Sequence, residues 1–121
     1  MMFGRLIDII LSDTFNIIGG ISMVKHIVCW NYKDNLTKEQ REDSAKKIKQ
    51  GLENLIHLID GVNSIEVKID LLSTSSADIV LESEFVDEKA LAAYQVHEEH
   101  KKVGQYIGSV TQNRYCIDYV F

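Results

Sequence analysis

Along residues 23 to 121 the apolar residues switch between a two-residue and a helical period to mark out six segments, and that succession constrains the fold more than any other feature. From Met23, the residues Val24, His26, Val28, Trp30 and Tyr32 alternate with Lys25, Ile27, Cys29, Asn31 and Lys33, which predicts a first strand. Thr37 with Gln40 forms a capping box. Ala45, Ile48, Leu52, Leu55, Ile56 and Ile59 then make a helical stripe of about six turns that stops at Asp60-Gly61. Gly51 interrupts it at a cost of about 1 kcal/mol against alanine. Ile65, Val67, Ile69 and Leu71 alternate with Glu66, Lys68 and Asp70 in a second strand. Ser73 to Ser76 reads as a turn and Asp78 to Val86 as a third strand. Asp87 caps one further helix carrying Leu91, Tyr94, His97, Val103, Tyr106, Ile107 and Val110, and Arg114 to Phe121 forms the last strand.

The order strand, helix, strand, strand, helix, strand is the α+β, ferredoxin-like βαββαβ arrangement, an antiparallel four-stranded sheet with its helices on one face. The other face then needs a cover. In the last strand Tyr115, Ile117, Tyr119 and Phe121 fall on one side and Arg114, Cys116, Asp118 and Val120 on the other, so neither side is fully polar. A second copy of the chain is the simplest cover, giving a homodimer joined through the open sheet face as a dimeric α/β barrel. Burying those aromatics would contribute about 25 cal/mol per Å² removed from water. In a monomer the N-terminal segment could cover the same face.

That segment, residues 1 to 22, sets Phe3, Leu6, Ile7, Ile10, Ile17, Ile18 and Ile21 against Arg5, Asp8, Ser12 and Asn16. It reads as an amphipathic leader helix, or as the translation of an upstream start that is not the one used. Asp8 and Asp13 interrupt its apolar run and Gly19 to Ser22 is a poor cleavage site, so a secretory signal is not expected, and the segment is too polar for a membrane span, so no membrane partner is expected. With 121 residues there is room for one domain, 23 to 121, and for a single pocket or interface, not for a separate cofactor domain. The net charge of −5 argues against a nucleic-acid partner, and Lys46, Lys47 and Lys49 read as a solvated helix face paired with Glu42 and Asp43. Cys29 and Cys116 lie in separate strand-like segments and are expected as reduced, buried thiols of a cytoplasmic protein.

Candidate chemistry concentrates in Tyr94-Gln-Val-His97-Glu-Glu-His100. At helical spacing Tyr94, His97 and His100 are successive i,i+3 neighbours and can lean to one side. His97 and His100 alone lack further ligands, so no metal is expected there. The chain has neither a glycine-rich phosphate loop nor a metal-binding motif, and no cofactor is expected. His57, near the end of the first helix, carries no assigned role.

Three stretches occur in an order that resembles a known family: Met23-Val-Lys-His26-Ile-Val, Glu84-Phe85-Val-Asp87-Glu-Lys-Ala90-Leu91-Ala-Ala-Tyr94-Gln-Val-His97-Glu-Glu-His100, and Asp118-Tyr119. Over residues 23 to 121 the chain resembles the stress-responsive A/B barrel (Dabb) domains of the dimeric α/β-barrel superfamily. Glu98 departs from the pattern, which usually has proline after the first histidine of His-Pro-x-His, so the helix is expected to run on from His97 to His100. The resemblance implies a pocket between helices and sheet. In a plant polyketide cyclase of this kind, which closes a poly-β-ketone by aldol condensation, the pocket motif corresponds to His26, Tyr94, His100 and Asp118.

On that reading His100 is the catalytic base, Asp118 orients it, Tyr94 binds the enolate oxygen and His26 hydrogen-bonds the substrate. Val28, Trp30 and His97 are assigned to ligand binding along the wall. A histidine on an apolar strand face is more often a core residue than a catalyst. The first expectation is therefore a homodimer with a small apolar pocket for a small-molecule ligand. A cofactor-independent cyclase-like lyase and a haem-degrading monooxygenase, as on related dimeric barrels, are the alternatives.

Overall fold

The computed structural model describes residues 22–121; the helix expected before Met23 lies outside them. In chain order the elements are β1 (Val24–Tyr32), α1 (Lys38–Asn54), β2 (Val62–Lys68), β3 (Ile79–Phe85), α2 (Glu88–Val96), α3 (Glu98–Val110) and β4 (Thr111–Val120). The strands form one antiparallel sheet in the order β2-β3-β1-β4, the ferredoxin-like α+β fold that the periodicities predict.

β1 lies between β3 and β4, and its burial follows its sequence alternation. Val24, His26, Val28 and Trp30 are buried on the helix side, while Lys25, Ile27 and Cys29 are half-buried on the open side. The core joins Val24, Val28 and Trp30 to Ile48, Leu52 and Leu55 and to Ile79, Leu81 and Phe85 of β3. Both halves of the Thr37/Gln40 capping box form: Gln40 N–H donates to Thr37 Oγ1 at 3.1 Å and Thr37 N–H to Gln40 Oε1 at 2.8 Å. Farther along α1, Glu53 Oε2 accepts from Val67 N–H at 2.9 Å and from Lys49 Nζ at 2.8 Å, which fastens the helix to β2.

Four elements differ from expectation in their bounds. α1 ends at Asn54, and Leu55–His57, including His57, tighten into a 3-10 turn. Gly61, at φ 85°, then turns the chain so that β2 starts at Val62, three residues before Ile65, and the strand ends at Lys68, before the expected Ile69 and Leu71. A β-bulge moves the start of β4 back to Thr111. Cys29 pairs with Tyr115 and Asn31 with Gln112, so β4 carries one extra residue, and Asn113 absorbs it at φ 56°. The bulge breaks the alternation by which that strand is recognised.

The fourth difference is the break of the second helix into α2 and α3 at His97, whose φ of −66° and ψ of 140° are extended. No proline is needed. His97 Nδ1 accepts from Glu99 N–H at 3.1 Å as the cap of α3, and Glu98 and Glu99 place negative charge at that helix's positive end. The continuous helix expected from the absence of proline is therefore corrected.

Candidate functional site: a histidine–aspartate pair beside an apolar cavity

His26 is 2% exposed and projects from the central strand toward the helices. Asp118 stands directly opposite it on β4, and His26 Nδ1 lies 2.5 Å from Asp118 Oδ1. Because a carboxylate accepts, Nδ1 carries the proton and the lone pair of the neutral ring resides on Nε2. Ser83 Oγ, also buried, donates to the His26 carbonyl at 2.7 Å and fixes the backbone beneath the ring.

From His26 a set of rings leads to α3. The His26 ring is 6.1 Å from Phe85 and 6.2 Å from Tyr94; Phe85 and Tyr94 are 4.8 Å apart, and Tyr94 and His100 are 4.4 Å apart. Tyr94 Oη and His100 Nδ1 are buried without a hydrogen-bond partner among the described residues. Burial pushes the Tyr94 phenol well above its ordinary range, so it remains a donor. His100 is held below the ordinary imidazole value, chiefly by burial; the Gln95 backbone opposes the shift, while the neighbouring His26, Arg114 and His97 add to it. His100 is therefore a neutral imidazole at neutral pH.

A cavity of about 270 Å³ opens against this group, with His26, Val28, Trp30, Leu52, Leu81, His100, Gly104, Ile107 and Gly108 along its wall and Thr111 to Arg114 at one end. Of the residues singled out in the sequence, His26, His100, Val28 and Trp30 meet there. Tyr94 lies behind His100 and outside the lining. Asp118 stands behind His26 and pairs with it, not with His100, so the expectation that Asp118 orients His100 is corrected: the sheet register puts it opposite His26. His97 caps α3 instead of facing the cavity, because the helix break turns it away from the Tyr94 side.

Sequence reasoning missed two features. Gly104 and Gly108 lie one turn apart on α3, and a Cβ added at either would meet nothing within 4 Å. Their i,i+4 spacing in an amphipathic helix was the available signal. Cys116 is exposed rather than buried as expected, since it belongs to the edge strand. It stands on the same side as Asp118, with Sγ 3.7 Å from His26 Nδ1 and 3.5 Å from Asp118 Oδ2. Both cysteines are free. No helix among the described residues is long and apolar enough to cross a membrane.

Several solved structures are similar to this chain. A dimeric protein of unknown function and ferredoxin-like fold from Bacteroides fragilis is 30% identical, with a TM-score of 0.77, over 82% of this chain and 96% of that one. A dimeric ferredoxin-like protein of unknown function from Thermobifida fusca is 20% identical, with a TM-score of 0.71, over 83% and 92%. A hydroxynitrile lyase from Passiflora edulis, 15% identical over 82% of this chain and 93% of that one, shares the fold with a TM-score of 0.65. No curated protein matches the sequence. The family described as the stress responsive A/B barrel domain matches residues 24–121, and the chain belongs to it.

Proposed function

We propose that the protein is a homodimer, each protomer of which binds a small, largely apolar carbonyl compound in the cavity beside His26 and His100. The observation that carries this reading is the pair Gly104 and Gly108. Each costs the helix about 1 kcal/mol against alanine. Packing explains glycine at Gly51, where Val103 Cγ1 would lie 3.2 Å from an added Cβ, but open space surrounds the sites on α3. Small residues there keep the cavity open. Its volume, a little below the ~300 Å³ at which drug-sized pockets begin, suits a compact ligand. A carbonyl or enol would supply the partner that His100 Nδ1 lacks.

The dimer would form through the open face of the sheet. There Tyr115, Ile117, Tyr119 and Phe121 are exposed together along β4, and similar structures are described as dimeric. The free thiols suit a reducing cytoplasm.

Trp30, the single tryptophan, lines the cavity and reports on its occupant. Titration with pentane-2,4-dione is expected to change Trp30 fluorescence saturably, and Gly104→Leu to abolish the change. A wild-type signal that is absent or linear in ligand overturns the reading.

The His26–Asp118 pair favours a second reading, a cofactor-independent lyase. His26 Nε2, with its lone pair free, would remove a proton next to the ligand carbonyl, and the neutral His100, backed by Tyr94, would stabilise the enolate. Deuterium exchange into the bound diketone, faster in wild type than in Asp118→Asn, is its expected signature; equal rates remove it.

A further inference from the structure

We propose that His26, Cys116 and Asp118 form a binding site for a divalent transition-metal ion of the zinc class. Among the described residues these three offer an imidazole nitrogen, a sulfur and a carboxylate oxygen within 4.8 Å of one another. The set is neither an acidic cluster nor a lone thiol. Its three donor types, drawn from two paired strands, converge on one point.

The spacing suits such an ion. Bond lengths of about 2.3 Å to sulfur and about 2.0–2.1 Å to nitrogen or oxygen imply edges of about 3.5 Å between tetrahedral ligands. Cys116 Sγ is 3.7 Å from His26 Nδ1 and 3.5 Å from Asp118 Oδ2. His26 Nδ1 meets the other carboxylate oxygen, Asp118 Oδ1, at 2.5 Å, so the carboxylate, whose side chain is 39% exposed, must turn to bring one oxygen to ligand spacing from both neighbours. The thiolate excludes magnesium and calcium as preferred occupants, and the imidazole favours zinc, cobalt or nickel. The site stands at the edge strand, where Cys116 and Asp118 reach solvent, so a water completes the coordination.

Binding conserves charge and atoms in a simple way. Metal–sulfur, metal–nitrogen and metal–oxygen bonds form, the Cys116 thiol proton leaves to solvent, and the His26 ring proton moves from Nδ1 to Nε2. His26 lines the cavity, so the exchange turns its inner nitrogen from an acceptor into a donor. Metal would thereby switch what the cavity can hold. The site itself depends only on the three ligands and stands whether or not the cavity binds a carbonyl compound.

Cobalt(II) is the probe. The full chain, without a polyhistidine tag and freed of metal by chelation, is titrated anaerobically. Wild type is expected to develop a sulfur-to-cobalt charge-transfer band that saturates at one ion per protomer and bleaches when zinc is added. Cys29→Ala, which removes the thiol on the opposite face, keeps the band. Cys116→Ala loses it with an unchanged circular dichroism spectrum, as expected for an exposed side chain, and Asp118→Asn weakens cobalt binding about tenfold or more. A wild type without the band, a band that survives Cys116→Ala, or a band that depends on Cys29 overturns the proposal.

Discussion

His26 and Asp118 face each other across the β1–β4 pair, and the 2.5 Å between Nδ1 and Oδ1 fixes both the ring's orientation and its tautomer. The histidine is buried and the carboxylate half-exposed, so the pair draws its strength from one dry partner and loses some of it to solvent at the other. The register that sets this pair also decides which imidazole Asp118 can serve. His100, on a helix across the cavity, is left without it.

If the two side chains are coupled, their replacements will not add. A double-mutant cycle of His26→Gln and Asp118→Asn, read by urea unfolding, is expected to give a coupling of about 1 kcal/mol. Additive effects would mean that the contact contributes nothing to stability.

Glycines on α3 and glycines in contacts should respond in opposite directions. Gly104→Ala and Gly108→Ala each relieve a helix cost with no atom in the way, and a rise of up to about 1 kcal/mol is expected. Gly61→Ala meets Ala90 Cβ at 2.7 Å and keeps φ at 85°, so it should lose about 1–2 kcal/mol or more. Thermal unfolding of the three variants decides; a fall for both α3 variants would remove the claim that their glycines serve the cavity.

The exposed residues of β4 give the dimer its own test. Ile117 is 57% exposed and Tyr119 45% exposed, on the side of the sheet away from Asp118 and the cavity. Wild type is expected to scatter light as a dimer at micromolar concentration, and Ile117→Glu or Tyr119→Glu as a monomer with an unaltered fold. A monomeric wild type would reject the interface. Dimeric variants would place it elsewhere.

Much of this was legible in the chain because alternation and helical period are local properties. Val24 to Tyr32 and Ile48 to Leu55 announce a strand and a helix through the burial they need. The break at His97 was not legible: with no proline to mark it, the signal is a histidine acting as a cap, which ordinarily reads as part of a helix. Asn113 escaped for a similar reason. A residue at positive φ inside a bulge looks like a turn, and the bulge hides the strand around it. The partners of Asp118 depend on strand register, a long-range choice that periodicity leaves open, and so the sequence paired it with the wrong histidine.

The acid side of the stability profile tests His100. Burial lowers its folded pKa beneath the ordinary value of about 6.5, so between those two values the unfolded chain holds a proton that the folded chain does not. Above about pH 6.5 the contribution is fully present, it is lost as pH falls through the folded value, and it levels off below. The neighbouring His26, Arg114 and His97 push the folded value further down and so enlarge the loss, and the Gln95 backbone moderates it. His100→Gln removes the titrating group, so its unfolding midpoint should fall less than that of wild type as pH is lowered from 7 toward 5. The difference between the two slopes isolates His100 from the carboxylates that titrate in both proteins. Parallel curves would mean that the ring titrates alike in folded and unfolded chains, and the neutral imidazole at the cavity wall would lose its physical basis.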